Sequence, residues 1–199
     1  MANGKVCTGF SLPVVAKYTA SGTTVTYSDG MALARGVDVS LSPESSDDNI
    51  FYADNVAAES APGTFTGGTV ELTVDGLKTA AERLIMGLPA ASSNWIAYGD
   101  DQAIPYVGIG FVVRYMEDGV TTYTGVVLAK CRFNMLESEA ATQEDEIDWQ
   151  TQSLEATIFR DDTANHNWKF VTTDQTSEAA AAALVEAKLG ITSTAATTE

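Results

Sequence analysis

Apolar and polar residues alternate one for one along much of this chain, the period of a strand with one face buried. GVDVSLS (36–42) sets Val37, Val39 and Leu41 against Asp38, Ser40 and Ser42. GTVELTVDG (68–76) sets Val70, Leu72 and Val74 against Thr69, Glu71, Thr73 and Asp75. SLEATIF (153–159) repeats the pattern with Leu154, Ala156 and Ile158 on one side and Ser153, Glu155 and Thr157 on the other. Two longer runs, IPYVGIGFVVRY (104–115) and VTTYTGVVLAKCRFN (120–134), flank Asp118-Gly119. That pair predicts a hairpin, because glycine accepts the positive φ of a tight turn. Shorter strands are expected at 11–18, 23–27 and 167–173.

Helical spacing occurs twice. In DGLKTAAERLIMGLP (75–89), Leu77, Ala81, Leu84 and Leu88 fall on one helix face; Asp75 is placed to cap the start, and Gly87 with Pro89 to end it. SEAAAAALVEAKLG (177–190) reads as an alanine-rich helix closed by Lys188 and Gly190, with 191–199 as a flexible tail. The expected fold is mainly β (α+β by strict count). It is an antiparallel sandwich or barrel-like arrangement with one flanking helix and a C-terminal helix, in a single domain over 1–190. Two stretches carry no period, 42–68 and 137–148. Loops of that length are usually functional or become ordered on assembly.

With 199 residues and 45% hydrophobic composition, the chain has the material for one core. Charge changes the picture more. Eleven Lys+Arg against 27 Asp+Glu give a net charge of −16, which repels phosphate backbones and anionic membranes. Cys7 and Cys131 lack CxxC spacing and read as free, largely buried thiols in a reducing compartment. The start MANGKVCTGFSLP lacks the basic and apolar regions of a signal peptide, and Arg114 interrupts the longest apolar run. The expectation is a soluble protein made in the cytoplasm.

Signals of catalysis are few, and the chain is expected not to be an enzyme. YGDD (98–101) resembles the metal-binding hairpin of RNA polymerases, but the third aspartate and basic surroundings are missing; Asp100 and Asp101 read as a turn. His166, the only histidine, lies in the turn-like DDTANHN, and one His with two dispersed Cys cannot assemble a zinc site. Gly108 and Gly110 sit inside a strand as GIG, so close packing or a bulge is expected rather than a phosphate loop. DDNIFYADN fails the EF-hand pattern, since Phe51 stands where a ligand should. The acidic run ESEAATQEDEID (137–148) reads as a solvated loop, with an adventitious divalent cation as its alternative. No cofactor is expected.

Two features remain. The polar positions Asp38, Ser40, Glu71, Thr73, Glu155 and Thr157 are all carboxylates or small hydroxyls, with no Lys or Arg among them. The segment 42–68 holds Ile50, Phe51 and Tyr52 among charges, next to Asp54 and Asn55.

The ordered landmarks GVDVSLSPESSDDNIFYADN, GTVELTVDGLK running into AAERLIMG, the paired strands around EDGV, and QTQSLEATIF followed by NWKF span about Gly4 to Gly190. In this order they resemble the major tail proteins, or tail tube proteins, of siphophages and related prophages. The resemblance implies a sandwich-like β fold and hexameric rings that stack into a tube around a tape-measure protein. Tail terminator and distal tail proteins would be further partners. DNA would pass through the lumen without specific binding, the protein would reside in the virion after assembly in the host cytoplasm, and nothing catalytic is implied. On this reading the six polar residues line the lumen, and Ile50, Phe51, Tyr52, Asp54 and Asn55 form an inter-subunit loop. The competing readings are a decorating or baseplate module, a contractile-type tube, and a carbohydrate-active β-sandwich enzyme.

Overall fold

A computed structural model describes residues 4–100, 102–142 and 149–192. The chain runs β1 (Val6–Ser21), β2 (Thr24–Ala32), β3 (Gly36–Ser45), β4 (Asn49–Ala53), β5 (Val56–Ala61), β6 (Phe65–Val74), α1 (Thr79–Met86), β7 (Val107–Glu117), β8 (Val120–Phe133), β9 (Gln152–Phe159), β10 (Lys169–Val171) and α2 (Glu178–Lys188). The fold is mainly β and antiparallel. One sheet follows the order β2-β1-β7-β8-β9-β6-β3, with β10 on β8, while β4 and β5 form a separate ribbon.

Strand β8 organises the sheet. One of its edges pairs with β7 from Val120 to Cys131. The other pairs with β10 over Val126–Leu128 and with β9 over Lys130–Phe133. The sheet curls so that β3 returns to β1, where the Phe10 ring fills the space a Cβ at Gly36 would take. Inside lie Val70, Leu72 and Val74 of β6, Leu154, Ala156 and Ile158 of β9, and Ile109, Phe111 and Val113 of β7. Ala81, Ile85 and Met86 of α1 complete this core.

Differences from the sequence expectations have local causes. Val37 is 54% exposed rather than inward. The β3–β6 register shifts between Gly36 and Asp38, which leaves Val37 as the extra residue of a bulge. Asp75 does not cap α1. It accepts hydrogen bonds from the Arg35 backbone and guanidinium, the helix starts at Thr79, and its N-cap Lys78 makes no side-chain cap bond. Gly87 ends it in the left-handed conformation at φ 65°. The stretch 42–68 is not an unpatterned loop: β3 runs on to Ser45, a hairpin occupies Asn49–Ala61, and β6 starts at Phe65. The alternation test misses this hairpin because its residues are apolar on both faces. Cys131 is buried, but Cys7 is exposed, and burial pushes the Cys131 thiol up. The 137–148 run falls partly on residues 143–148, and the tail on 193–199; both stretches, and Asp101, lie outside the described residues.

The GIG motif is a packing surface. A Cβ on Gly110 would stand 2.4 Å from Cγ1 of Val185, one on Gly125 2.6 Å from its Cγ2, and one on Gly108 2.6 Å from Cδ2 of Leu189. These three glycines flatten the outer face of β7 and β8, and α2 settles there with Ala181, Val185 and Leu189 buried. Ser177 caps α2, its hydroxyl accepting from the Ala180 N–H at 3.2 Å. Gly110→Val should therefore cost about 1–3 kcal/mol by overpacking, read as a lower midpoint in urea with new proteolysis within α2. Gly99→Ala, which meets nothing within 4 Å, should stay within about 0.5 kcal/mol of the parent.

Candidate functional site

Three neighbouring strands bring the predicted polar residues onto one face. Ser40 lies opposite Glu71 and Asp38 opposite Thr73. On the other side of β6, Glu71 lies opposite Glu155 and Thr69 opposite Thr157. Directly opposed residues of antiparallel strands project to the same side, so Asp38, Ser40, Glu71, Thr73, Glu155 and Thr157 share one surface. Ser42, Thr69 and Ser153 join them. Asp38, Ser40, Glu71 and Glu155 are exposed, while Thr73 and Thr157 are half-buried.

The sequence reading missed how this face ends. Between Val107↔Cys131 and Ile109↔Leu128 the β7–β8 register shifts, giving β8 one extra residue. Beyond it Cys131 and Phe133 point into the core, and Arg132 lies opposite Thr157 on the polar face. The alternation Leu128, Lys130, Arg132 would have put all three on one side. Only the bulge separates them.

At this margin the cations lie over aromatic rings, Lys130 half-buried and Arg132 exposed. Lys130 Nζ donates to Asp162 at 2.7 Å and lies 5.1 and 4.7 Å from the Tyr18 and Tyr106 ring centres. The Arg132 guanidinium lies 5.8 Å from both Tyr106 and Phe159, whose rings meet edge to face. The Tyr18 hydroxyl donates to the Asp162 carboxylate at 2.7 Å and accepts from the Asp162 N–H at 2.9 Å. Burial, followed by the hydrogen bond to Asp162, pushes Tyr18 up to about 12. Hydrogen bonds from Lys130 and then Tyr18 hold Asp162 below the ordinary carboxylate range.

The second feature is the arm. Every residue of β4 and β5 is exposed. Asp54 and Asn55 form its turn with φ 49° and 65°, the two-residue geometry that matches strand twist. Phe51 lies opposite Glu59, Ile50 opposite Ser60, Tyr52 opposite Ala57 and Ala53 opposite Val56. One face therefore carries Phe51, Ala53 and Val56 with Glu59, and the other Ile50, Tyr52 and Ala57 with Ser60. At the base, Asp48 accepts from Gly63 N–H at 2.9 Å and Ser46 Oγ from Thr64 N–H at 3.0 Å, joining the arm to the β3–β6 pair. The separate ribbon is thus tied by hydrogen bonds to the end of the strand pair that carries the polar face.

Other candidates hold no such arrangement. His166 is exposed in its loop, its Nδ1 3.2 Å from the Asp161 carbonyl oxygen. Trp168 stacks on Phe65 at 4.5 Å, so its ring is engaged in packing. Among the described residues no group of three or more His, Cys, Asp or Glu is placed to hold a metal ion, and no helix is long and apolar enough to cross a membrane. No protein-family model and no curated protein matches this chain.

Two measurements check this geometry. Carboxylates directly opposite on adjacent strands repel, so Glu71→Thr should raise stability by about 0.2–1 kcal/mol, the gain shrinking as salt screens the parent's repulsion. Tyr18, with its folded-state value raised above 10, contributes stability that is complete below pH 10 and lost as pH rises through about 12. Asp162→Ala removes the bond but leaves the burial. The tyrosinate absorbance titration should then move part of the way back towards 10.

Proposed function

We propose that this chain is the tail tube subunit of a siphophage or prophage, polymerising as stacked hexameric rings into the conduit for DNA delivery. The arm carries the reading. A two-stranded hairpin is marginal alone, and this one carries large apolar side chains on both faces while every one of its residues is exposed. Such a ribbon is suited to a neighbouring subunit, where aromatic anchors such as Phe51 and Tyr52 carry a large share of contact energy. Asp54 and Asn55 set its tip.

The polar face supplies the second half. Asp38, Ser40, Glu71, Thr73, Glu155 and Thr157 would line the lumen, where lysine or arginine would make a phosphate contact that retards the genome. Confining the lining to β3, β6 and β9 leaves Lys130 and Arg132 at its edge, their charges engaged by Asp162 and by aromatic rings. Retention of the opposed Glu71 and Glu155, at a cost in stability, fits a face kept anionic for transport. The tape-measure protein, tail terminator and distal tail proteins are the partners this role requires, and the virion tail is its location.

Purified protein should form stacked rings of uniform diameter in negative-stain micrographs, and Phe51→Ala with Tyr52→Ala should raise the concentration for assembly at least tenfold. Monomers of the parent at every concentration would instead favour a decorating module. With Asp38, Glu71 and Glu155 all changed to Lys, tubes should still form but DNA ejection should slow. Unchanged ejection kinetics would remove the polar face from the lumen.

A further inference from the structure

Where the arm goes is a question of shape and charge. Between Arg35 and Lys78 the chain has no basic residue and eight carboxylates, four of them (Asp47, Asp48, Asp54 and Glu59) on or beside the arm. Its receiving surface must therefore be an apolar hollow with positive charge at the rim. That is uncommon in a chain of net charge −16.

A hollow among the described residues has this character. It is a groove of about 430 Å³ between α1 and the β1–β2 pair, with Met31, Leu84 and Leu88 among its apolar lining and Lys17, Arg83 and Asp29 as its charged residues. The lining is net positive by one charge. The hollow beside Asp75, Glu137 and Glu139 is acidic instead, and the one beside Asp161 and Lys188 is balanced. Neither Lys17 nor Arg83 forms an ion pair among the described residues. Arg83 spends only its Nε, on the Pro89 carbonyl at 2.9 Å, which leaves its terminal nitrogens for a partner. The volume lies in the range of roughly 300–1,000 Å³ typical of ligand-sized sites, room for aromatic side chains.

Chain geometry separates arm and groove. The arm leaves β6 at Phe65, whereas α1 follows the other end of that strand at Val74; ten residues of strand span roughly 30 Å. The arm projects from the Phe65 end and makes no burying contact with its own body.

We propose that the groove between α1 and β1–β2 receives the β4–β5 arm of a second copy, Phe51 or Tyr52 filling the apolar floor while Asp54 and Glu59 meet Lys17 and Arg83. The inference rests on the self-assembly reading above and deepens it. Two different surfaces are joined, so the contact is heterologous and copies add head to tail, closing into a ring or running on between rings according to the rotation that relates them. Each copy offers one arm and one groove. The arm's second apolar face is left for a further subunit.

The test uses two full-length variants: Lys17→Glu with Arg83→Glu (groove blocked, arm intact) and Phe51→Ala with Tyr52→Ala (arm blocked, groove intact). Each alone should need at least tenfold more protein than the parent to elongate. Mixed at equal concentration, they should form a 1:1 complex by light scattering, because one good arm meets one good groove. Adding Asp54→Lys and Glu59→Lys to the groove variant should restore elongation. Circular dichroism checks folding, and Lys17→Gln with Arg83→Gln replaces the groove variant if it unfolds. A parent that assembles while the groove variant elongates at the parent's concentration, or while the mixture gives no complex, overturns the groove and leaves the tube reading standing. A parent that never assembles overturns both.

Discussion

Everything in this molecule turns on β8 having to serve three neighbours. It pairs with β7 along one edge and hands its other edge from β10 to β9. A flat strand could not do so and still keep its apolar residues on one side. The extra residue between Leu128 and Cys131 resolves the conflict by resetting the alternation. Leu128 before it and Cys131 and Phe133 after it then all face the same core. The same reset sends Lys130 and Arg132 outward, Lys130 to Asp162 and the Tyr106 ring, and Arg132 to an exposed place beside that ring. Core continuity and the cationic border of the polar face thus have a single cause.

The outer layer follows a different logic, that of close approach. Gly108, Gly110 and Gly125 present no side chains to α2, so a helix with small residues can lie against strands rather than above them. Ala181, Val185 and Leu189 then bury almost completely from a helix otherwise rich in alanine. Such a contact depends on shape more than on apolar area. It also shields the outside of β7 and β8 while the face of β3, β6 and β9 stays open. Open face and covered face are two halves of one sheet, divided by where the glycines fall.

The arm is the part that the fold leaves unfinished. Its two strands pair across a bulge at Ala58 and are tied down at the base, yet its apolar residues contribute nothing to the core. Ile50, Phe51, Tyr52 and Val56 are each at least 44% exposed. A free energy of burial of about 1.5–3 kcal/mol for each large apolar side chain remains unrealised in the isolated chain. On the assembly proposed above that reserve would be drawn on at the contact, and the surrounding carboxylates oppose non-specific pairing of the exposed ribbon. No basic residue lies between Arg35 and Lys78, so the arm and its flanks carry charge of one sign.

How much of this was legible in the sequence depends on the range of the interaction. Alternation placed β3, β6, β7, β8 and β9 within a few residues, because burial on one face imposes a period of two. Asp118-Gly119 and Gly87 announced their turn and helix stop through backbone sterics alone, and the six polar residues were found because their neighbours in sequence were apolar. The arm escaped because its large apolar residues stand on both faces of the ribbon, which leaves no period of two to detect. Val37 and Arg132 escaped because bulges depend on the register of two strands, and register is a property of the pair. Asp75 served Arg35 instead of α1 because a residue 40 positions away competed for its carboxylate. What the chain settles alone is local: period, turns and charge. Which strands adjoin, where a bulge reverses a face, and which hollow carries a positive rim are decided only when distant segments meet.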